Sequence, residues 1–377
     1  MITIIGAGIG GLTTAIALKQ RGFEVEIFEA APVFKKAGSG INLAINAMQI
    51  YKRLGIYDEL LATGSHTNTM TVSDHQLKPI STIDLIASEK QHGVKTIAIH
   101  RSDLHEILLN HLQGISIHLH KNLDTLTQSG DQVNLSFKDG TTHQSNIVIG
   151  ADGIHSAVRT SIFKDTKKRI AKQICWRGVV KTSIPKKHQQ ELNELWGKGQ
   201  RFGFVHINKD EVYWFALANY KQNYRTEYAH VNIAELFANF NPLVTQIICA
   251  TNKNDILTNE MMDLKPIPKW HHQNVCLLGD AAHATTPNMG QGACQAIESA
   301  YVLAKCISEE KTTEAAFIQF QKTRKTTATK IVNTSWTLGK VAHWENSIGI
   351  LLRNKLMRLI PQSLTQKQAI DIYQLDY

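Results

Sequence analysis

The first thirty residues contain the pattern that most restricts how this chain can fold. Residues 2–5 (Ile-Thr-Ile-Ile) predict a buried β-strand, and the run Gly-Ala-Gly-Ile-Gly-Gly follows at residues 6–11. A helix to about Arg21 and a second strand over residues 24–28 come next, and Glu29 ends that strand. Strand, glycine turn, helix, strand and acid in this order predict the first unit of a parallel sheet that binds a dinucleotide.

Each glycine has a separate physical role in such a turn. Gly6 permits the tight turn, Gly8 lets the backbone approach a pyrophosphate, and Gly11 lets the helix pack against the strand. The positive end of the helix faces the phosphates. Glu29 follows the first glycine by 23 residues, near the spacing at which an acid accepts hydrogen bonds from a ribose. A signal peptide is disfavoured, because no basic residues precede the apolar run and glycines interrupt it.

A second segment joins another apolar strand to another helix. Residues 275–278 predict a buried parallel strand, and helical spacing of apolar residues begins at Ala293. The loop between them starts with Gly-Asp at 279–280 and ends with Gly-Gln-Gly at 290–292. Asp280 would therefore lie at the carboxyl end of a strand, where open α/β sheets bind their ligands. The alternative for this segment is a tight turn before a core helix.

A third segment has the same form. Residues 146–149 predict an apolar strand, and Gly-Ala-Asp-Gly follows at 150–153, with Ser156 and Arg159 at fixed offsets behind Asp152. These three segments, in this order and at these separations, resemble the group A flavoprotein monooxygenases, the class of para-hydroxybenzoate hydroxylase. The resemblance covers essentially the whole chain.

The resemblance implies that the three segments hold one FAD. The first would contact its pyrophosphate and adenosine ribose, and Arg101, Asp152 and Asp280 would contact the flavin side, with Asp280 on the ribityl chain. The residues implied to bind FAD are Gly6, Gly8, Gly11, Glu29, Arg101, Asp152, Asp280, Gly290, Gln291, Gly292 and Ala293. The alternatives are a solvated arginine at 101 and helix N-caps at the two aspartates.

The ring of the flavin is expected to lie against Pro287 and residues 290–292. Backbone N–H groups near Ala293, at a helix N-terminus, would stabilise the negative charge of the reduced ring. Residues 38–40 (Gly-Ser-Gly) would form a second close approach of the backbone.

The predicted fold class is α/β: a Rossmann-like FAD-binding domain of the GxGxxG type, with an inserted, mostly antiparallel sheet domain for the substrate and C-terminal helices. Residues 1–70, 98–170 and 265–340 would form a discontinuous FAD-binding domain. Residues 71–97 and 171–264 would form the substrate-binding sheet domain, and 341–377 a C-terminal helical segment.

The implied activity is that of a single-component FAD-dependent monooxygenase. Since only one glycine fingerprint is present, NADH or NADPH is expected to dock transiently. The enzyme would use O2 to hydroxylate a small aromatic or N-heterocyclic substrate through a flavin C4a-hydroperoxide. The alternatives are a carotenoid- or polyprenyl-type epoxidase or hydroxylase, and a flavin-binding protein without turnover.

Substrate orientation is assigned to Arg201 and Tyr213. They resemble the arginine and tyrosine that bacterial FAD-dependent urate hydroxylases direct at an anionic purine. An odd number of residues between their two strands would place both side chains on one face, and an even number would separate them. The alternative is a solvated arginine and a core tyrosine. No general base is assigned, although His206, His283 and Tyr213 are candidates.

Composition sets the outer limits of function. The formal charge of +9 suits an anionic cofactor, and no basic helix or zinc-finger pattern accompanies it, so nucleic acid is not expected as a partner. The spacing of cysteines and histidines predicts no metal site. No apolar run is long enough to span a bilayer, so we expect a cytoplasmic protein. We expect it to be a monomer or a homodimer.

The C-terminal region leaves one alternative open. Residues 350–360 mix apolar side chains with Arg353, Lys355 and Arg358. We expect a helix that packs on the FAD-binding domain or on a partner subunit. The alternative is a helix in the membrane interface, which would favour a lipid-soluble substrate.

Overall fold

The computed structural model describes residues 1–34 and 39–377. Gly38, expected to approach the flavin, lies outside these residues. Within them the strands, labelled β1 to β19 in chain order, are Ile2–Ile5, Val25–Phe28, Gly40–Leu43, Ser65–His66, Thr69–Asp74, Pro79–Asp84, Ile97–His100, Ser116–His118, Leu123–Ser129, Gln132–Phe137, Thr142–Ser145, Ile147–Gly150, Lys168–Lys181, Glu191–Trp196, Gln200–His206, Glu211–Asn219, Leu257–Leu264, His271–His272 and Val275–Leu277.

The helices follow the same convention. The α-helices of the described residues, α1 to α14, are Ile9–Lys19, Ile45–Arg53, Tyr57–Thr63, Ile86–His92, Arg101–Asn110, Ala157–Ile162, Tyr224–Glu227, Ile233–Leu236, Pro242–Ala250, Asp280–His283, Gly292–Glu309, Thr313–Ala342, Ser347–Leu359 and Gln362–Tyr373. Short 3-10 turns cover Lys186–His188, Lys253–Asp255 and Pro287–Met289.

The central sheet has the strand order β18-β19-β12-β1-β2-β8, and its strands are parallel except for β18. Strand β1 lies inside this sheet with all four residues buried, as an apolar strand covered on both faces must be. Its one polar side chain, Thr3, donates a hydrogen bond of 2.9 Å to Glu26 on β2. The predicted parallel α/β sheet is confirmed.

Two glycines allow the first turn to pack against its neighbours. Gly6 has φ +105°, a conformation that L side chains rarely adopt, and a Cβ there would lie 2.5 Å from the carbonyl oxygen of Ala151. A Cβ on Gly11 would lie 2.0 Å from the carbonyl oxygen of Gly6. Helix α1 and the turns after β1 and β12 are therefore in direct backbone contact.

A second sheet, here called the cover sheet, has the order β17-β13-β16-β15-β14-β5-β6. Neighbouring strands within this sheet are antiparallel, except that β14 and β5 are parallel. One face carries a compact apolar cluster that includes Phe202, Trp214 and Ile247 of α9. On the opposite face, the ring of Tyr213 lies against Gly40 of strand β3.

The register of β15 and β16 decides a question that the sequence left open. His206 pairs with Val212, which leaves the odd number of residues 207–211 between the paired positions. Arg201 pairs with Leu217, and Tyr213 pairs with Val205. Because residues two apart share a face, Arg201 and Tyr213 lie on the same side of the cover sheet.

A buried polar network joins the long helices α11 and α12 to the end of the chain. Arg324 donates to Glu298 and to Gln295, each at 2.6 Å, and the hydroxyl of Tyr377 donates to Glu298 at 2.5 Å. Asn46 of α2 also donates to Glu298. Since Arg324 is 2% and Glu298 is 2% exposed, their charges depend on each other for compensation.

Helix α13 packs with its polar side against the protein. Its buried residues are Arg353 and Asn354, while Ile348, Leu351 and Leu359 face solvent. The Arg353 guanidinium donates to the carbonyls of residues 341 and 342 at the end of α12, so the polar side of the helix faces inward. Among the described residues, the helices are too short or too polar to cross a bilayer.

Replacement of Arg324 by Met should destabilise the protein strongly. The substitution leaves the Glu298 carboxylate buried without its cation, which costs about 3 kcal/mol of unfolding free energy. Chemical denaturation followed by circular dichroism measures this loss. Lys322→Met on the exposed side of the same helix is the control and should change the free energy by less than about 0.5 kcal/mol. Equal stability of the two variants would contradict the role of the ion pair.

Candidate functional site

The three glycine-containing turns meet at one edge of the central sheet. In the parallel registers, Ile5 lies beside Gly150, and Gly150 lies beside Leu277. Strands β1, β12 and β19 therefore end at the same level, and the turn after each strand opens on the same groove. This edge is where open α/β sheets bind ligands.

The turn after β1 presents an open backbone surface. Gly8 is exposed, and a Cβ built on it would meet nothing within 4 Å. Gly8 is also the N-cap of α1 and provides no side chain to cap the helix. The N–H groups of the first turn are thus free to bind an anion, with the positive end of the helix behind them.

Glu29 lies beside this turn at the end of β2. Its carboxylate accepts hydrogen bonds from the backbone N–H of Ala7 at 2.7 Å and of Ala31 at 2.8 Å. A carboxylate has further lone pairs, so it can also accept from a diol. His105 was not recognised in the sequence; its Nε2 hydrogen-bonds the carbonyl of Ala7 at 2.8 Å, and its ring packs at a tilt of 59° against Phe34.

Arg101 and Asp280 bring opposite charges to the groove. Both side chains are solvent-accessible, although protein surrounds them on several sides. This environment raises the pKa of Asp280 and lowers the pKa of Arg101, and each charge opposes the shift of the other. The Arg101 backbone is fixed by its N–H, which donates to the carbonyl of Ser39 at 2.9 Å.

Asp152 serves in part as a helix cap. Its Oδ2 accepts from the N–H of Val158 at 3.1 Å, while its Oδ1 is buried without a hydrogen-bond partner. Burial is the main cause that raises the pKa of this carboxyl. Since an unpaired buried acceptor is costly, Oδ1 is a position where a bound donor would be favourable.

The Ser and Arg of the third segment have structural positions. Ser156 caps α6 by accepting from the N–H of Arg159 at 2.8 Å. Arg159 is 2% exposed and donates to the carbonyls of Ala281 at 3.0 Å and Ile154 at 2.6 Å. These bonds hold the turn after β12 against α10, beside Asp280.

The loop between α10 and α11 presents Pro287 and Gly290 to solvent. Gly290 has φ +63°, which ends the short 3-10 turn. Gln291 is buried, and its Oε1 accepts from Asn46 at 2.9 Å, so only its backbone is available to a ligand. Helix α11 begins at Gly292, and the backbone of Gly292 and Ala293 forms its first turn.

Arg201 is held by protein groups. It is 2% exposed; its Nε donates to Glu194 at 2.7 Å, and its Nη1 donates to Asn288 in the loop of Pro287–Met289. Asn288 in turn donates to Thr286 at 2.9 Å and to the carbonyl of Ser335 at 2.9 Å. Arg201 therefore ties the cover sheet to this loop. Neither Glu194 nor Asn288 gave a signal in the sequence, because both contacts join distant parts of the chain.

Tyr213 lies in a different environment on the same face. Burial raises the pKa of its phenol well above the usual range, while the cations Arg177 and Arg101 act in the opposite direction. Arg177 pairs in the sheet with Phe215, the residue two places after Tyr213. Arg177 has no signature in the sequence, since it is a lone arginine in a strand.

An aromatic surface adjoins these polar groups. The ring of Phe215 lies over Gly203, where a Cβ would be 2.1 Å from Cζ. Phe215 and Val72 are partly buried and share the face with Arg177, as the registers across β16, β15, β14 and β5 show. The face therefore combines the phenol of Tyr213, the Arg177 cation and the Arg201–Glu194 ion pair with apolar side chains.

The two histidines considered as bases lie away from this face. Burial lowers the pKa of His283 to about 3, and its Nε2 lies 3.1 Å from the hydroxyl of Ser299. His206 is adjacent in sequence to Val205, which shares the face of Tyr213, so His206 points to the opposite side.

Comparison with known proteins agrees with this geometry. Residues 1–335 match a family model described as an FAD binding domain. The chain is 33% identical to the aurachin C monooxygenase/isomerase of Stigmatella aurantiaca, covering 95% of this chain and 94% of the relative. It is 30% identical to the 2-heptyl-3-hydroxy-4(1H)-quinolone synthase of Pseudomonas aeruginosa, covering 96% and 94%.

A solved structure shows the same fold. HpxO of Klebsiella pneumoniae, in complex with FAD and uric acid, superposes with a TM-score of 0.88 at 25% identity, over 99% of this chain and 96% of that one. The open backbone at Gly8, the free Oδ1 of Asp152 and the accessible Asp280 all fit a flavin dinucleotide. The chain thus belongs to the FAD binding domain family and is a group A flavin monooxygenase.

Proposed function

We propose that this protein hydroxylates a small N-heterocyclic aromatic substrate, using NADH or NADPH as reductant and O2 as oxidant. Within that class we propose a 4(1H)-quinolone with an alkyl side chain. The observation that carries this proposal is the combination on one sheet face of Tyr213, the Arg177 cation and partly buried apolar side chains. Such a face is complementary to a planar ring with a conjugated oxygen and an apolar substituent.

The FAD would be held by residues of all three turns. The N-terminus of α1 and the backbone at Gly8 would bind the pyrophosphate, and Glu29 would accept from the adenosine ribose. Asp280 would accept from a ribityl hydroxyl, with Arg101 beside it. Asp152 would accept one more hydrogen bond at Oδ1. When bound, FAD supplies electron transfer and activation of O2.

The loop before α11 would lie against the flavin ring. Pro287 and Gly290 present a surface free of bulky polar side chains, and the first turn of α11 at residues 292–293 directs N–H groups outward. These N–H groups would stabilise negative charge on the ring. Gln291 would act indirectly, because its side chain holds the loop to Asn46.

Substrate orientation would be shared between Tyr213 and Arg177, with Arg201 in a positioning role. A phenol is protonated at neutral pH, and burial raises the pKa of Tyr213 further, so its hydroxyl can donate to a ring oxygen. Arg201, already bound to Glu194 and Asn288, would set the distance between the cover sheet and the flavin loop.

The name of one relative supports the choice of ring. The quinolone synthase makes, by its name, an alkylated 3-hydroxy-4(1H)-quinolone, and the match extends over nearly the full length of both chains. Phe215, Val72 and Leu192 are apolar residues on the face of Arg177 and Tyr213, with Glu194 between Phe215 and Val72, and they suit an alkyl substituent better than a purine.

The division of the chain follows from the same proposal. Residues 1–70, 98–170 and 265–340 would hold FAD, and residues 71–97 and 171–264 would close the substrate site. Residues 341–377 would form a helical segment beside the cover sheet.

Gly8→Ala should separate folding from cofactor binding. The new Cβ points into open space and the backbone has φ −73°, so stability should fall by no more than about 1 kcal/mol, the cost of Ala at an N-cap. FAD affinity should fall at least tenfold, because the methyl group blocks the approach of the pyrophosphate. Flavin fluorescence titration of apoprotein measures the affinity, and Gly349→Ala, in helix α13, where a Cβ would make only ordinary van der Waals contacts at 3.4 Å or more, serves as control. Unchanged FAD affinity in Gly8→Ala would refute this site.

Aerobic oxidation of NADH and NADPH tests the proposed activity. We expect 2-alkyl-4(1H)-quinolones to stimulate consumption more than urate, salicylate, hydroxybenzoates or hydroxynicotinates, with a product one oxygen heavier by mass spectrometry. Stimulation by another ring would reject the quinolone and keep the hydroxylase. No stimulation by any compound would favour a flavin-binding protein without turnover.

Tyr213→Phe should weaken substrate binding with FAD retained. Loss of one hydrogen bond of about 1 kcal/mol predicts a KM about fivefold higher. The value of kcat should change less than KM, since the phenol is assigned to orientation. Tyr220→Phe removes a hydroxyl bonded to Glu260 in the same sheet and is the matched control, with an expected KM near that of the parent. An unchanged KM in Tyr213→Phe would exclude its contact with substrate.

A further inference from the structure

Helix α13 is amphipathic, but its polar side faces the protein and its apolar side faces solvent. Arg353 is 3% exposed and donates to Val341 O at 3.0 Å, to Ala342 O at 2.9 Å and to Asn354 Oδ1 at 3.0 Å. Its guanidinium also lies 4.9 Å from the ring centre of Trp196 in the cover sheet. These contacts fix which side of α13 faces outward.

The outward side is a continuous apolar stripe. Its members recur at helical spacing and are more than half exposed: Ile348 77%, Leu351 72%, Leu352 54%, Leu356 55% and Leu359 69%. Ile360 at 45% and Leu364 at 52% extend the stripe into α14. Single exposed leucines are ordinary, but a contiguous group of this kind marks an interaction surface.

The charges around the stripe are mainly positive. Lys355 lies within the stripe on the helical wheel, between Leu351 and Ile348, and is exposed. Over residues 340–367 the exposed charged side chains are Lys340, Glu345, Lys355, Arg358 and Lys367. Arg358 is partly compensated by Asp74, at 3.4 Å. The surface thus combines apolar side chains with an excess of cations.

We propose that the outward face of α13 docks on the surface of an anionic phospholipid bilayer. The leucines would enter the boundary between headgroups and acyl chains, and the lysines would contact anionic headgroups. The long stem of Lys355 lets its ammonium reach the headgroups while the neighbouring leucines are immersed.

A second copy of the chain fits this face less well. In a two-fold interface the same patch meets itself, so Lys355 would be buried in an apolar contact opposite other cations. No exposed acid lies within the stripe to compensate it. A charged lysine without a partner is costly in such an interface but not at a bilayer surface.

The position of α13 relates the surface to the candidate site. Trp196, on which Arg353 stacks, pairs in the sheet with Arg201, and Arg358 donates to the carbonyl of Pro79 on the edge strand β6 at 3.1 Å. A docked bilayer would therefore lie beside the cover sheet. If the substrate is an alkylated quinolone, as proposed above, it would reach the enzyme from the membrane; the docking surface itself does not depend on that substrate.

Co-sedimentation with vesicles tests the proposal. The FAD-loaded full-length protein should bind vesicles of phosphatidylglycerol and phosphatidylcholine at least tenfold more strongly than vesicles of phosphatidylcholine alone, and high salt should weaken binding. Leu351→Asp combined with Leu359→Asp should reduce the partition coefficient more than tenfold. Lys355→Gln should reduce it about fivefold, the effect of one basic residue at an anionic surface.

The control is Ile318→Asp, which replaces an isoleucine of similar exposure, 51%, on α12. It should bind vesicles like the parent, and circular dichroism should show every variant folded. Equal vesicle binding by the double variant and the control would overturn the proposal. So would a dimer in sedimentation velocity that the double variant abolishes, with no vesicle binding by the parent. Because no substrate is present, failure here is distinct from failure of the proposed hydroxylation.

Discussion

The contact of the first glycine turn with the end of β12 is the constraint on which the rest of the structure depends. Because the positions of Gly6 and Gly11 leave no room for a Cβ, strand β1, helix α1 and the turn at Ala151 form one close-packed unit. Parallel pairing then brings the end of β19 to the same level. Three distant segments thereby form one groove, and a dinucleotide can contact all three at once.

Two buried polar networks connect the loop before α11, which contains Asn288 and Gln291, to the rest of the molecule. The chain Arg324–Glu298–Asn46 ends at Gln291, so the loop against the expected flavin ring is connected to α12 and to the C-terminal tyrosine. On the other side, Arg201 joins Glu194 of the cover sheet to Asn288 of that loop. Both networks place charged groups where they are desolvated, which is tolerated only when each charge is paired. Their hydrogen bonds fix the loop relative to α12 and the cover sheet.

The chemistry of the site follows from what these networks leave free. Asp280, Arg101 and the Gly8 backbone remain accessible in the groove, while Tyr213 and Arg177 remain on the sheet face above it. The proposed cofactor side is polar, and the proposed substrate side combines few polar groups with apolar ones. Helix α13 adds an apolar surface next to the cover sheet, so one end of the molecule is suited to compounds that partition into lipid.

The sequence by itself determined the parallel sheet and the identity of its three turns, because glycine and aspartate at fixed places after apolar strands are local requirements of close packing and of ligand binding. It also placed Glu29, Arg101, Asp152 and Asp280 at strand ends or helix starts. It could not decide whether Arg201 and Tyr213 share a face, since the parity of one loop settles this and only the strand register shows it. Glu194, Asn288 and Arg177 lacked any local signal, because their roles arise from contacts between strands far apart in sequence. The tertiary structure also determines which side of α13 faces inward, because the composition of the helix is compatible with either side. The carbonyls at the end of α12 bind Arg353, so Arg353 faces the protein and the leucines face solvent.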